Sequence, residues 1–255
     1  MDRKIIAIVL AAGEGKRMGS GIPKQYMIIK SRPMVYYSLK VFQDSEVDEI
    51  VLVTGADEID YCKQYIVDKY HFTKVKQVVA GGKERYESVY KGLVAIDDAD
   101  YVLIHDCARP MLNQKIVKDS IQGAIKFGAC VVGVPAKDTI KLIDAKGFAK
   151  ETPPRKDMWI VQTPQSFDYL LVYKAYQRLM ALGDSTATDD AMVVEKYSGH
   201  KVKMIPGSYD NIKVTTPEDV RTCHAFLRTR RFFHTLHEIH DKIIWFQMKL
   251  YLLKR

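Results

Sequence analysis

Residues 5–19 read IIAIVLAAGEGKRMG, an apolar run that leads into a loop of small residues and cations. Residues 5–10 contain no polar position, which is typical of a strand buried on both faces of a parallel sheet. Ala11, Ala12, Gly13 and Gly15 then allow the backbone to approach a ligand closely. Because ligands of open α/β sheets bind beyond the carboxyl ends of strands, we expect a binding site in this loop.

Strand-like and helix-like patterns alternate along most of the remaining chain. The β-rich runs lie at residues 49–54, 75–79, 101–105, 129–134 and 202–205. Helical patterns lie at about residues 33–42, 57–69, 84–95, 114–127, 169–181, 189–197 and 217–227. This alternation predicts an α/β, Rossmann-like fold, with a mostly parallel sheet and helices on both faces.

Residues 137–160 depart from this alternation. Residues 138–143 predict a strand, residues 145–147 predict a turn, and Pro153-Pro154 interrupts regular structure. We therefore expect a β-arm at about residues 137–160, inserted in a single domain that covers residues 1–227.

Composition narrows the class of protein. The 255 residues are 47% hydrophobic and 27% charged, which excludes a disordered chain, a collagen and a disulfide scaffold. The net charge is +8, but residues 228–255 carry +5 of it, so the nearly balanced body does not indicate nucleic-acid binding. The four cysteines lack C-x-x-C spacing, and Arg3-Lys4 with its apolar run lacks a signal-peptide cleavage pattern. These features favour a cytoplasmic protein with reduced thiols.

The first loop is a candidate phosphate site, because its backbone N–H groups can form an anion nest and Lys16, Arg17 and Lys24 supply positive charge. A P-loop would need glycine at position 10 and serine or threonine at position 17, so that motif is excluded. A dinucleotide-binding fingerprint would need glycine where Met18 stands. An ordinary glycine-rich turn with solvated lysines remains an alternative at this point.

Further motifs follow the loop in a fixed order. They are PKQ at residues 23–25, GGKERYESV at 81–89, HDCARP at 105–110, DTIK at 138–141, QTPQSF at 162–167, TDD at 188–190 and DNIKVT at 210–215. With the first loop, they resemble the nucleotidyltransferases that activate sugar and polyol phosphates, and most closely the 2-C-methyl-D-erythritol 4-phosphate cytidylyltransferase family. The resemblance covers about residues 5–227.

The resemblance implies a reaction and a set of site residues. The phosphate of 2-C-methyl-D-erythritol 4-phosphate would attack the α-phosphorus of CTP, giving 4-diphosphocytidyl-2-C-methyl-D-erythritol and pyrophosphate for non-mevalonate isoprenoid synthesis. The implied catalytic residues are Arg17, Lys24, Arg155 and Lys213. The implied nucleotide-binding residues are Ala11, Ala12, Gly13, Gly15, Lys16, Gly82, Arg85, Ser88 and Asp106. The implied substrate-binding residues are Asp106, Arg109, Thr139, Arg155, Thr163 and Lys213.

The resemblance also implies a cofactor and an assembly. Asp106 follows a predicted strand and would hold Mg²⁺. The family's β-arm crosses a homodimer, so Thr139 and Arg155 would serve the partner's site. Cys107 departs from the family pattern, in which alanine is usual, and is interpreted as a small apolar substitute.

Asp189-Asp190 could be a paired-carboxylate acid–base site. We favour instead a helix that begins after an N-terminal cap at Thr188, with both aspartates at its positive end.

Residues 228–255 predict a basic amphipathic helix. Apolar residues recur there at intervals of four and three, the period of helix-on-helix packing. They are Phe232, Leu236, Ile239, Ile243, Phe246, Leu250 and Leu253. This segment could pack on the body or on a partner helix, or lie on a membrane surface.

Two other functions compete with the implied one. A related cytidylyltransferase class uses D-ribitol 5-phosphate, but those enzymes tend toward Ala-Gly-Gly in the first loop and valine before Arg-Pro, whereas this chain has Ala11-Ala12-Gly13 and Ala108. A non-catalytic nucleotide-binding or membrane-associated module is the other alternative. It is disfavoured because Arg17, Lys24, Asp106, Arg155 and Lys213 are all present.

Overall fold

The computed structural model describes residues 3–13 and 23–228. The strands are β1 (Ile5–Leu10), β2 (Ile28–Ile29), β3 (Arg32–Pro33), β4 (Glu49–Thr54), β5 (Val75–Ala80), β6 (Tyr101–Asp106), β7 (Ala129–Pro135), β8 (Leu142–Ile143), β9 (Ala149–Glu151), β10 (Trp159–Asp168) and β11 (Lys203–Pro206). The helices are α1 (Met34–Gln43), α2 (Ile59–Cys62), α3 (Arg85–Val94), α4 (Gln114–Phe127), α5 (Tyr169–Leu182) and α6 (Asp190–Ser198), and residues 217–228 are also helical. A π-helical stretch, Lys63–Asp68, continues α2, and short 3₁₀ turns lie at Lys24–Tyr26, Ala56–Glu58 and Arg155–Asp157.

Seven strands form the central sheet in the order β11-β7-β10-β6-β1-β4-β5. Strand β1 lies between β6 and β4 and is parallel to both. Its last residue, Leu10, pairs in register with Asp106, the last residue of β6. Because parallel strands end at the same edge, the loops after β1 and β6 emerge side by side. The predicted mostly parallel sheet is confirmed.

Helices cover both faces of the sheet. Side chains of a strand alternate between faces, and β1 accordingly sends Ala7 and Val9 to one core and Ile6 and Ile8 to the other. The first core is completed mainly by α1 and α4, and the second by α3, α5 and α6. This explains the uninterrupted apolar pattern of residues 5–10, and it confirms the prediction of helices on both faces.

Strand β10 was missed by the sequence analysis. It runs antiparallel between β6 and β7, and so interrupts an otherwise parallel sheet. Its middle is polar and contains Pro164, which lies where the pairing with β7 shifts register between Val161 and Gln165. Proline has no N–H group to donate to a neighbouring strand. It is therefore tolerated within a sheet at irregularities where no such hydrogen bond is needed. Neither apolar alternation nor β-propensity therefore marked this strand.

The inserted arm forms where it was predicted, with shorter strands than expected. The strand predicted over residues 138–143 is reduced to β8, which pairs antiparallel with β9. The predicted turn at residues 145–147 is confirmed, and the Asp144 carboxylate accepts hydrogen bonds from the N–H groups of Lys146 and Phe148. Ile143 and Phe148 are 64% and 70% exposed. The arm thus turns apolar side chains toward solvent.

The helix at residues 217–228 matches the prediction for residues 217–227 and packs beside the small β2–β3 hairpin. Cys223 and Val214 are buried in a cluster with Ile29 and Met34. The helix predicted over residues 228–255 lies outside the described residues, apart from Arg228. In the described ranges, none of the helices combines the length and apolarity needed to cross a membrane.

Candidate functional site

A cavity of about 400 Å³ lies at the carboxyl ends of β1 and β6. Its wall includes Ala12 and Gly13 after β1, Lys24, Arg85 at the start of α3, Asp106, and Lys213. These residues come from five separate segments. The sheet unites them because parallel strands deliver their following loops to one edge.

Small residues set the shape of the loop after β1. The Ala11 N–H donates to the Val53 carbonyl, which keeps the loop against the end of β4. A Cβ atom at Gly81 would lie 2.4 Å from the Cβ of Ala12, so the loops after β1 and β5 require glycine to approach this closely. The Gly82 N–H donates to the Ser88 hydroxyl and thereby fixes the entry to α3.

Lys24 is carried by a short turn that is tied to the end of β4. The neighbouring Tyr26 hydroxyl lies 2.9 Å from the Thr54 hydroxyl. It donates to the Glu58 carboxylate at the same distance of 2.9 Å. The Gln25 amide donates to the same carboxylate. Burial raises the pKa of Tyr26, so its hydroxyl remains a neutral donor. Lys24 is thus presented at the cavity wall from a turn whose two following side chains are fixed.

Asp106 lies at the floor of the cavity between two cations. Its Oδ1 accepts from Arg85 Nε at 3.0 Å, and its Oδ2 accepts from Lys213 Nζ at 2.6 Å. Burial alone would raise the pKa of the Asp106 carboxyl, but Arg85 and Lys213 outweigh it and hold that pKa well below its usual range. The carboxylate is therefore ionised and fixed at both oxygens.

Asp190 makes a contact with Arg85 that the sequence analysis did not predict. Helix α6 is capped by Asp189, whose side chain accepts from the Met192 N–H, so the predicted cap at Thr188 is wrong by one residue. Asp190 is fully buried and accepts from Arg85 Nη1 and Nη2 at 2.7 and 2.8 Å. The TDD motif itself was the available signal, but an aspartate at a helix start already had a sufficient explanation in the helix dipole.

Thr163 lies below the cavity rather than on its wall. Its buried hydroxyl accepts from the Asp106 N–H at 3.2 Å and is 2.9 Å from His105 Nδ1. Burial lowers the pKa of His105 to about 3, so this imidazole is neutral at physiological pH. In this chain Thr163 contacts the backbone that carries Asp106 and does not face the cavity.

The other residues matched to acceptor binding lie apart from the cavity lining that the described residues form. Arg109 donates to the backbone carbonyls of Asn211 and Val161, and so holds the loop before Lys213. Thr139 and Arg155 are exposed near the base of the arm, where Arg155 donates to the Lys137 carbonyl.

Some expectations fall on parts of the chain that the structure does not describe. Gly15, Lys16 and Arg17 lie outside the described residues. Within residues 3–13 and 23–228, there is no cluster of three or more His, Cys, Asp or Glu side chains that could hold a metal unaided.

Cys107 is buried beside Asp106, and burial raises the pKa of its thiol to about 12, which fits a small apolar side chain and not a nucleophile.

Known proteins resemble this chain along most of its length. The sequence profile of the family described as 2-C-methyl-D-erythritol 4-phosphate cytidylyltransferase (IspD) matches residues 5–229. Proteins with that name from Lachnoclostridium phytofermentans and Clostridium novyi are 46% and 49% identical to it. These alignments cover 90% and 85% of this chain, and 99% and 94% of the relatives.

A solved structure shares the fold. It is described as 4-diphosphocytidyl-2C-methyl-D-erythritol synthase from Anaerococcus prevotii, and is 33% identical with a TM-score of 0.78. The match covers 89% of this chain and 96% of that one. The fold, the motifs and the sequence profile agree. This chain therefore belongs to the 2-C-methyl-D-erythritol 4-phosphate cytidylyltransferase family.

Proposed function

We propose that this chain transfers a cytidylyl group from CTP to 2-C-methyl-D-erythritol 4-phosphate, giving 4-diphosphocytidyl-2-C-methyl-D-erythritol and pyrophosphate. The observation that carries the proposal is the cavity that Lys24 lines together with the ionised Asp106, which Arg85 and Lys213 hold, at positions that match the family's motifs. The reaction needs no side-chain nucleophile, because the acceptor phosphate itself attacks the α-phosphorus.

The loop after β1 would receive the triphosphate. Backbone groups of residues 11–13 can approach the phosphates, and the resemblance adds Gly15, Lys16 and Arg17. Negative charge grows on the α-phosphorus in the transition state, and fixed cations stabilise it without reorganising. We assign this role to Lys24, whose turn is fixed by Tyr26 and Gln25, together with Arg17.

The cytidine would occupy the space between the first loop and the start of α3. Gly82 and Ser88 lie at this side of the cavity, with backbone and hydroxyl groups that suit the edge of a pyrimidine. The close approach of Gly81 to Ala12 leaves no room for a larger side chain at position 81.

Asp106 would hold Mg²⁺ together with phosphate oxygens of CTP. The residues present fit this ion: Mg²⁺ usually takes one or two carboxylates plus substrate phosphates, and Asp106 offers an ionised carboxylate at the cavity floor. Each of its oxygens accepts one charged hydrogen bond, so acceptor capacity remains on both. When bound, the ion would neutralise charge on the triphosphate and on departing pyrophosphate.

The acceptor half of the site would be shared between two chains. Lys213 lies in the cavity, whereas Thr139 and Arg155 lie on the exposed arm, away from the cavity of their own chain. A homodimer in which each arm reaches the partner's cavity would bring these residues to the phosphate of 2-C-methyl-D-erythritol 4-phosphate. The exposed Ile143 and Phe148 would then become buried.

We place the enzyme in the cytoplasm, where buried free thiols such as Cys62 and Cys130 stay reduced.

For residues 228–255 we propose a role in assembly or location and not in chemistry, with a helical protein partner ahead of an anionic membrane. Removing residues 228–255 should leave the transfer rate unchanged, and oligomeric mass and liposome binding would identify the role. A large loss of activity in a folded dimer would contradict it.

The test of function is pyrophosphate release from CTP and Mg²⁺, with 2-C-methyl-D-erythritol 4-phosphate and D-ribitol 5-phosphate compared as acceptors. We expect acceptor-dependent release with the first and little with the second, and mass spectrometry should identify the cytidylylated polyol. Preference for ribitol phosphate would assign the chain to the related class. Binding of CTP without turnover on either acceptor would favour a non-catalytic module.

A further inference from the structure

All three nitrogen atoms of the Arg85 guanidinium donate hydrogen bonds to carboxylates. Its Nη1 and Nη2 grip both oxygens of Asp190, and its Nε donates to Asp106. The arrangement predicts a structural task for Arg85 in addition to any contact with the nucleotide.

Asp190, which lies behind Arg85 as seen from Asp106, is itself held by its neighbours. Asp190 is fully buried, and the Tyr176 hydroxyl donates to its Oδ1 at 2.5 Å. The neighbouring Ala191 N–H donates to the side chain of Gln165 in β10, which fixes the start of α6 against the sheet. Asp190 lies outside the cavity lining of the described residues, so it acts on the site through Arg85.

The geometry of the guanidinium transmits the position of Asp190. The group is planar, so a bidentate grip on Nη1 and Nη2 also fixes the direction of the Nε–H bond. That bond points to Asp106 Oδ1, and Lys213 occupies Oδ2. The carboxylate therefore has one orientation as long as Arg85 is held from behind.

The balance of charges explains why an aspartate, Asp190, contacts Arg85 at this position. Arg85 and Lys213 balance Asp106 and Asp190, so the four groups are together neutral. Without the Asp190 charge, Arg85 would be free to take both oxygens of Asp106 or to turn toward bound phosphates. The first movement would compete with Lys213 for Oδ2, and the second would leave Oδ1 of Asp106 without its partner.

We propose that Asp190 is a positioning residue, which orients Arg85 so that Asp106 and Lys213 are held in place at the cavity floor. The proposal rests on the proposed cytidylyl transfer. It extends that function to a residue that lies outside the cavity lining of the described residues.

The test is steady-state kinetics of Asp190→Asn, with Asp189→Asn as matched control. Both variants change one aspartate at the start of α6, but the Asp189 side chain contacts Gln165 and the helix backbone and not Arg85. Asp190→Asn should lower kcat about tenfold or more, since a displacement of about 1 Å at reacting groups can cost a hundredfold, with a smaller change in KM for CTP. Asp189→Asn should stay within about twofold of the unmodified enzyme, because asparagine caps helices well.

A double-mutant cycle separates positioning from general stability. In an Arg85→Lys background, which keeps a cation near Asp190, the Asp190→Asn change should cost less than about twofold, because its effect passes through the guanidinium. Tyr176→Phe, which removes a single neutral donor, should give a smaller loss of kcat in the same direction. It also provides a test if Asp190→Asn fails to fold. Equal kcat in Asp190→Asn and the unmodified enzyme, or an undiminished cost in the Arg85→Lys background, would overturn the proposal.

An independent measurement does not need turnover. Hydrogen exchange of the Arg85 Nε–H, followed by NMR on the unliganded protein, should be slow in the unmodified chain and in Asp189→Asn, and much faster in Asp190→Asn. Fast exchange in the unmodified chain would contradict the positioning role. If the exchange result holds but the unmodified chain transfers no cytidylyl group, then the proposed function is wrong and the contact between Asp190 and Arg85 still stands.

Discussion

The cavity floor and the arm are built in opposite ways. Asp106 is buried, ionised and held at both oxygens by Arg85 and Lys213, and a fully buried Asp190 supports Arg85 from behind. The arm between β7 and β10 is exposed throughout its two short strands, and Phe148 lies 70% open to solvent.

The difference indicates which half of the site a single chain can complete. Burial and paired charge fix the floor before any ligand arrives, so its geometry belongs to the folded chain. A two-stranded arm has marginal stability by itself, and its apolar side chains gain only when another surface covers them. We therefore interpret the arm as the part of the site that a second chain uses.

The largest expected effect on catalysis is that of Lys24 at the cavity wall. Lys24→Ala should lower kcat about a hundredfold, because it removes a fixed cation that faces charge developing in the transition state. Binding of CTP, measured by calorimetry, should weaken much less. Lys174→Ala, on the exposed face of α5, is the matched control and should be unaffected. A raised KM with unchanged kcat would remove Lys24 from its catalytic role.

A pair of phenylalanines sharpens the contrast in stability. Phe167→Ala, in the buried part of β10, should lower the free energy of unfolding by about 3–5 kcal/mol. Phe148→Ala, in the arm, should change it by less than about 0.5 kcal/mol in urea titrations at protein concentrations where the chain is monomeric. Sedimentation should instead show a weaker dimer for Phe148→Ala. Similar unfolding energies for the two variants would mean that the arm is as well packed as the body.

The most gradual expected effect is a pH dependence of stability that His105 contributes beneath the cavity floor. The pKa of His105 is about 3 in the folded chain and about 6.5 when unfolded, so between these values only the unfolded chain takes up the proton. The free energy of unfolding should therefore fall as pH falls from about 6 to 4, by up to about 1.4 kcal/mol per pH unit.

His105→Asn should flatten this slope in urea titrations across that pH range. His71→Asn is the matched control, since His71 is exposed and its φ of 54° suits asparagine. The control should keep the slope of the unmodified protein. An unchanged slope in His105→Asn would show that other groups carry the pH dependence.

The sequence predicted the parallel strands well because burial on both faces leaves an unbroken apolar run, as in residues 5–10. It missed β10, whose buried glutamines and threonine are stabilised by tertiary hydrogen bonds that no local pattern reveals. Single site residues such as Asp106 and Lys213 could be placed through their motifs.

The partners of those residues could not be predicted in the same way. The contact between Arg85 and Asp190 joins positions 105 residues apart, and it needed the sheet to bring α3 and α6 together. For the same reason the sequence could name Thr163 but could not show that its hydroxyl faces His105 and not the cavity.

The central claim is that one chain supplies the cavity and another supplies the arm, and mixed dimers test it directly. Lys24→Ala and Arg155→Ala chains should each be nearly inactive alone. After subunit exchange, checked by native mass spectrometry, an equal mixture should regain about a quarter of the unmodified activity, because half of the dimers are mixed and each has one intact site. Activity no higher than that of the two separate variants, despite complete exchange, would show that each chain uses its own Arg155 and would contradict the account.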